Sequence, residues 1–304
     1  MPSDSPTVEQ NEPVGGPALY VVGTPIGNRD DITLRALKVL RGVDLVAAED
    51  TRRTGRLLAA LGIKKPLVSC HEHNERRRAV QIVNRLAKGD SVALVSDAGS
   101  PALSDPGCLL VADVLAAGFK VVPIPGVSAV STALSVAGLP GGSYLFAGFV
   151  SRKKNRRLQL LEALAAEGRT VIFFESPQRI RQLLEDVRRI MGNRPAVLAR
   201  EMTKLHEEFI HGTLVQIMQR LEARGKIMGE ITLLVGPAVS PQPPDLKQVR
   251  RELAKLTGNG DLPLSAAVRR VAGALNVARN TVYREALRLK KDASAESPPD
   301  RSER

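Results

Sequence analysis

Short apolar, β-branched runs end in polar, Gly- or Pro-containing loops and pass into helix-spaced segments, and this alternation is what most constrains the fold. The first runs are Leu19–Val22, Val43–Ala48, Pro66–Cys70, Val92–Val95 and Lys120–Ile124. Helical spacing falls over Thr33–Leu40, Arg76–Leu86 and Cys108–Ala117, and a small-residue helix follows Pro125–Ala129 through about Ala137. Strands separated by helices pair in parallel through crossovers, so an α/β class with a parallel sheet is predicted. In such sheets ligands bind at the carboxyl ends of the strands. Ser96–Gly107 (SDAGSPALSDPG) lies at one of these ends, bent by Gly99, Pro101, Pro106 and Gly107, so that its amides can approach a ligand closely.

A second series starts at Ser143. Tyr144–Phe149, Thr170–Phe174, Ala196–Ala199 and Gly229–Val235 read as strands, Leu158–Ala166 and Ile180–Met191 as helices, and this half admits a more mixed sheet. The expected organisation is a disordered N-terminus (1–17), an α/β domain (18–140), a second α/β domain (141–237), a Pro-rich linker (238–245), a basic helical module (246–291) and a disordered tail (292–304). A chain of 304 residues, 43% of them hydrophobic, can build cores of that size.

Forty-four Lys+Arg against 32 Asp+Glu leave a net charge of +12, which favours a polyanionic partner such as nucleic acid over a neutral metabolite. With no Trp and 3% aromatics, no flat platform stacking many single-stranded bases is expected, and phosphate contacts have to dominate. The excess is uneven: from Asp245 to Lys291, eleven Lys/Arg against four Asp/Glu give +7. There Ser265 can cap a helix through about Leu275, Asn276 and Val277 make a tight turn, and Asn280–Leu289 forms a second helix with Val282 and Leu289 inward. The pattern is that of a helix-turn-helix, although Ala278 stands where a capping Ser or Thr is expected. Cys70 and Cys108 have neither CxxC spacing nor a His at ligand spacing, so they are expected to be reduced and partly buried. His71 and His73 lack a third spaced ligand, and no metal is expected. The N-terminus has no basic start or apolar signal core, and no apolar run is long enough to span a bilayer, so a cytoplasmic protein without a membrane partner is expected.

Gly23–Asn28 (GTPIGN) is neither GxGxxG nor GxxxxGK[ST], so nicotinamide and nucleotide-triphosphate chemistry lose ground. Glu49–Thr54 brings carboxylates, hydroxyls and the guanidinium groups of Arg52 and Arg53 to a strand end, and His71–Glu75, with His73, reads as a polar substrate-facing loop. Pro125–Ala129 presents free amides and the Ser128 hydroxyl at a helix start. Ser151–Arg157 (SRKKNRR), including Arg152, Lys153 and Lys154, carries five positive side chains that can meet phosphates.

GTPIGN (23–28), AEDTRRT (48–54), HEHNE (71–75), SDAGSPALSDPG (96–107), PGVSA (125–129), FAGF (146–149), FFESPQR (173–179), REMTKLHEE (200–208) and GEITLLVG (229–236) together resemble the tetrapyrrole-methylase superfamily, and within it the branch that acts on ribosomal RNA. The resemblance covers Leu19 to about Gly236 and the C-terminal module. It implies two α/β domains of the tetrapyrrole-methylase type with S-adenosylmethionine in the cleft between them, followed by a small helix-turn-helix-like module. It also implies a homodimer, and 2′-O-methylation of a cytidine in the decoding region of 16S ribosomal RNA in the small subunit. By motif match, cofactor contacts fall to Pro25, to Ala98, Gly99, Ser100 and Leu103, to Ser128 and Ala129, and to Met202; Ser100 stands where Thr is common.

Methyl transfer needs the donor carbon in line with the attacking oxygen, so positioning dominates. A ribose 2′-hydroxyl is a weak acid, and a general base or polarising cation is expected to assist. Glu49, Asp50, His73, Glu175, Lys204 and His206 qualify, with Asp50, Glu175 and Lys204 favoured because each lies just past a predicted strand end. Two other classes compete. A small-molecule tetrapyrrole methyltransferase would have no need of the basic tail or of SRKKNRR, and a noncatalytic RNA-binding assembly factor would have no need of intact cofactor motifs.

Overall fold

Five of the apolar runs form one parallel sheet. β1 (Ala18–Val22), β2 (Leu45–Ala48), β3 (Leu67–Ser69), β4 (Val92–Val95) and β5 (Lys120–Ile124) lie in the order β3-β2-β4-β1-β5. The computed structural model describes residues 14, 16–238, 245–257, 262–275 and 277–295, in two compact units, 1–238 and 239–304. The helices between these strands are α1 (Leu34–Gly42), α2 (Thr51–Ala60), α3 (Glu75–Leu86), α4 (Cys108–Ala116) and α5 (Ala129–Val136). Period-two alternation divides the strand residues between two faces. Tyr20, Val22, Val46 and Ala48 pack with Val39 and Leu40 of α1 and Leu58 of α2. Leu19, Leu45, Val92 and Leu94 pack with Ile82 and Leu86 of α3 and Leu110 and Val114 of α4. Burial on both faces explains why the strands read as continuous apolar runs.

The second sheet is mixed. β6 (Tyr144–Phe149), β7 (Thr170–Glu175), β8 (Pro195–Arg200), β9 (Glu208–Thr213) and β10 (Ile231–Val235) follow the order β6-β7-β10-β8-β9, with β6 parallel to β7 and the remaining pairs antiparallel. One face is covered by α6 (Lys154–Ala163), α7 (Ile180–Met191) and α8 (Leu214–Glu222). On the other face Ile172, Val197, Ala199 and Leu234 pack against Ala133 of α5, with Ile26 and Met202 in the same cluster. This third core joins the two sheets beneath the cleft. Neither β9 nor α8 is expected from the sequence. β9 is an edge strand with polar Glu208, His211 and Thr213 among its six residues, and α8 starts at a capping box between Thr213 and Gln216.

Arg157, the last cation of SRKKNRR, does not face solvent. It is buried at the end of a run whose other cations are exposed, and its Nε and Nη2 both lie 2.9 Å from Asp186 Oδ2 in α7. Cys70 is buried, whereas Cys108, expected to be partly buried, is exposed on the first turn of α4. Val14, within the stretch expected to be disordered, packs against Gly42 and the core under α1, as one of few large apolar side chains there.

The second unit is three helices, α9 (Leu246–Thr257), α10 (Leu264–Leu275) and α11 (Arg279–Ala295). Its core is Val249, Leu253, Ala267, Val268, Val271, Val282 and Ala286, with Leu289 partly buried. α11 runs past the expected boundary at Lys291 through Ala295, a stretch without Gly or Pro. Asn276 of the expected turn, most of the Pro-rich linker (239–244) and 296–304 lie outside the described residues. Among the described residues no helix is long and apolar enough to cross a membrane.

Breaking a buried ion pair leaves an uncompensated charge. Asp186→Ala is expected to cost about 3 kcal/mol in chemical denaturation, and Arg157→Met with Asp186→Leu is expected to cost less than the single variant. Equal or smaller loss in Asp186→Ala would contradict the pairing.

Candidate active site

The carboxyl ends of β1, β4 and β5 converge. Thr24 and Gly99 exchange two backbone hydrogen bonds, Thr24 N to Gly99 O at 2.8 Å and Gly99 N to Thr24 O at 3.0 Å, and the Thr24 hydroxyl donates to Ser96 O at 3.2 Å. Gly23 faces Gly126 so closely that a Cβ on Gly23 would lie 2.8 Å from the Gly126 Cα. Larger residues cannot occupy this crossing of two loops. Ala102 and Ser104 adopt left-handed backbone angles, φ of 65° and 66°, within the 96–107 loop, a conformation tolerated for non-glycine residues only where the surroundings fix it.

The far end of that loop is fixed by Glu75. Its buried Oε1 accepts the amides of Gly107 at 2.9 Å and Leu110 at 3.0 Å. α4 begins at Gly107, which has no side chain to cap it, and a carboxylate from α3 takes that role. Asn74 Oδ1 accepts the His71 amide at 2.9 Å, and its Nδ2 donates to Ser69. Within the HEHNE motif, Asn74 therefore braces its own loop and Glu75 the neighbouring one. Across the cleft, the Asn28 amide donates to Thr203 Oγ1 at 2.9 Å, and a Cβ on Gly27 would lie 2.8 Å from Met202 O.

Between these loops and the second sheet lies a cavity of about 540 Å³, within the range of small-molecule sites. Ala98, Gly99, Ser100, Leu103, Ser128, Ala129 and Met202 all line it, and Pro25 is buried beside lining residue Ile26. Its charged lining is Glu49, Asp97, Asp105, Glu175 and Glu230 against Arg53, which pairs with Asp97 at 3.3 Å. A mostly apolar pocket with surplus carboxylate suits a ligand that has an apolar body and a positive centre. Asp97 and Asp105 are absent from the sequence candidates; the repeated Ser-Asp pairs at 96–97 and 104–105 are the available signal. Burial, then the charges of Glu49 and Asp97, pushes the Asp105 carboxyl up to about 6. Burial also raises Glu49, against a hydrogen bond from the Asp97 amide.

The three favoured acid–base candidates are not brought together. Glu175 lines the cavity, with Oε1 accepting the Ser176 amide at 2.7 Å and Oε2 2.9 Å from Arg179 Nη2. Asp50 is outside the lining: it caps α2, accepting the Arg52 amide at 2.8 Å, and the Arg52 guanidinium holds its carboxyl well below the usual range. Lys204, also outside, bonds Glu201 at 2.9 Å and Glu230 at 3.1 Å. Burial acts to lower its pKa, but these carboxylates outweigh it and the net shift is upward, so Lys204 is held as a cation. Of the substrate candidates, Arg53 lines the cavity, whereas Arg52, His73, Arg152, Lys153 and Lys154 are exposed outside its lining. Lys153 and Lys154 form the start of α6, where no side chain caps the helix. Cations at this end stand against the helix dipole and concentrate positive potential.

Residues 18–218 match the tetrapyrrole (corrin/porphyrin) methylases. A protein of Thermotoga maritima named ribosomal RNA small subunit methyltransferase I is 49% identical over 217 residues, 71% of this chain and 97% of that protein. One of the same name from Mesorhizobium japonicum is 44% identical over 283 residues, 92% and 94% of the two chains. The structure of a uroporphyrin-III C-methyltransferase from Thermus thermophilus complexed with S-adenosyl homocysteine shares the fold, with a TM-score of 0.52, 18% identity, and coverage of 73% of this chain and 98% of that one.

Because Asp105 titrates higher in the folded protein than the ordinary carboxyl near 3.9, the folded state binds the extra proton between these values, and stability falls as pH rises through that window. Asp105→Asn is expected to raise Tm over the wild type by about 2–4 °C above pH 6, with the difference vanishing near pH 4. A pH-independent difference would contradict the assignment.

Proposed function

The chain belongs to the tetrapyrrole methylases, and from that premise we propose that it methylates the ribose 2′-oxygen of a cytidine in the decoding region of 16S ribosomal RNA, in the small subunit, using S-adenosylmethionine. The observation that carries this reading is the extent of the match to the ribosomal RNA methyltransferase relatives. The Mesorhizobium protein spans 92% of the chain, while the uroporphyrin enzyme is matched almost end to end by only 73% of it. The family match ends at 218, before the basic helical unit. A small substrate leaves unexplained a separate unit whose residues 245–291 carry a +7 excess, whereas a phosphate backbone gives it a partner.

The cavity fits the cofactor on its own chemistry: Gly99 leaves bare backbone in the wall, and the lining is apolar with surplus carboxylate. Pro25, Ala98, Gly99, Ser100, Leu103, Ser128, Ala129 and Met202 are the residues that would hold it. When bound, S-adenosylmethionine supplies an electrophilic methyl group on a sulfonium centre. Around it, the carboxylates of Glu49, Asp97 and Asp105 favour positive charge. Glu175, held by the Ser176 amide and Arg179, is the favoured candidate best placed to accept the 2′-hydroxyl proton. Asp50 acts by fixing α2 and Arg52, and Lys204 supplies positive charge near the cleft. Arg52, Arg53, His73, Arg152, Lys153 and Lys154 are assigned to the RNA, the exposed ones to its phosphates. By the same family resemblance the enzyme works as a homodimer in the cytoplasm.

Purified protein with methyl-labelled S-adenosylmethionine and small subunits lacking the modification is expected to label the 16S ribosomal RNA, and Glu175→Gln to retain cofactor binding while lowering kcat at least 100-fold, on the order of one general base. Label on a porphyrinoid and none on RNA would point to the small-molecule reading. Unchanged kcat in Glu175→Gln would remove it as the base.

A further inference from the structure

The nine aromatic residues of FWY type in this chain are three Tyr and six Phe, and four of them, Tyr144, Phe146, Phe149 and Phe174, line the one cavity described above. Their arrangement depends on a backbone irregularity. Phe146 and Phe149 are three residues apart, so in a regular strand they would point to opposite faces. β6 shifts register against β7 between Phe146 and Gly148, pairing Phe146 with Ile172 and Phe149 with Phe174. Gly148 takes φ of 63° at this bulge, and a Cβ there would lie 3.0 Å from Ser104 Oγ. The extra residue restores parity. Phe146 and Phe149 then both meet Phe174 edge-to-face, with ring centroids 4.9 and 5.5 Å away at 67° and 61°.

Phe149 remains 60% exposed although it is anchored in this cluster. Arg179 fixes the chain next to it, donating from Nη2 to Val150 O at 2.8 Å. The basic segment starts three residues later, with Arg152, Lys153 and Lys154 exposed and the last of them at most about 18 Å of chain away. A ring with an open face, at the rim of a cavity and followed at once by cations, matches the chemistry of a nucleotide with its base unstacked and its phosphates engaged.

We infer that Phe149, backed by Phe174 and Phe146, is the stacking surface for the base of the RNA nucleotide that enters the cleft, which requires that nucleotide to leave its own stack. The inference rests on the RNA reading above and adds to it how the substrate is held. A cavity of this size between two sheets admits a nucleotide and not a packed helix, and a base that stacks on Phe149 has left its own stack. The base is gripped by the second sheet, while the cofactor loops come mainly from the first.

The test measures methyl transfer to unmodified small subunits by Phe149→Ala, Phe149→Leu, Phe149→Tyr and Phe149→Trp, with S-adenosylmethionine affinity, melting temperature and sedimentation followed in parallel. Phe149→Ala and Phe149→Leu are expected to lower kcat/KM about tenfold or more, Phe149→Tyr and Phe149→Trp to stay within about threefold of wild type, and cofactor affinity and oligomeric state to be unchanged in all four. The leucine variant keeps apolar bulk without a π face, so it separates stacking from packing. Wild-type activity on RNA with Phe149→Leu and Phe149→Ala undiminished would overturn the stacking surface and leave the proposed function intact. Loss of cofactor affinity would assign Phe149 to the cofactor, and dissociation to a smaller species would assign it to a second copy of the chain; either overturns the inference. Absence of wild-type RNA labelling would overturn both readings.

Discussion

The two hydrogen bonds between Thr24 and Gly99 tie the loop after β1 to the loop after β4, and the geometry of the cleft follows from that tie. β1 and β4 are neighbours in the sheet, so their loops leave side by side, and the glycine contact of Gly23 with Gly126 brings in the loop after β5. Backbone makes most of this crossing, with the Thr24 hydroxyl donating to Ser96 O. Side chains act at its edges, where Glu75 holds the end of the 96–107 loop on the first turn of α4 and Thr203 receives the Asn28 amide from across the cleft. A cradle built from main chain offers dipoles without a fixed cation, which is the environment a positively charged donor requires.

The same economy shapes the distribution of charge. The cavity is lined by carboxylates with one guanidinium, whereas the exposed cations Arg152, Lys153 and Lys154 lie outside its lining. An enzyme that binds a small cation and a large polyanion meets opposite demands, and separating the charges in space satisfies both. Arg157 is the exception within SRKKNRR: its pairing with Asp186 turns one cation inward to anchor the helix that displays the others.

The alternation of runs and loops made the parallel half of the fold legible, because strands buried on both faces are continuous apolar segments whose ends are marked by Gly and Pro. The second sheet was less so. β9 is an edge strand with polar Glu208, His211 and Thr213, so it lacks the continuous apolar run that marks the buried strands. Within the site, the residues matched by motif lie on the cavity wall, except Pro25 behind it, but the sequence could not tell a lining carboxylate from a capping one. Asp50 and Glu175 both follow strands, yet Asp50 turns back on its own helix while Glu175 faces the cavity. Parity was also hidden: a bulge at Gly148 changes the face of Phe149, and no periodicity argument reveals such an insertion before the pairing is known.

The central claim is that this cleft modifies ribosomal RNA. Its most direct test is to map 2′-O-methylated nucleotides in 16S ribosomal RNA from cells with and without the gene. The account predicts that one ribose methylation, on a cytidine in the decoding region, is lost without the gene and returns when it is restored. An identical methylation map in the two strains would contradict it.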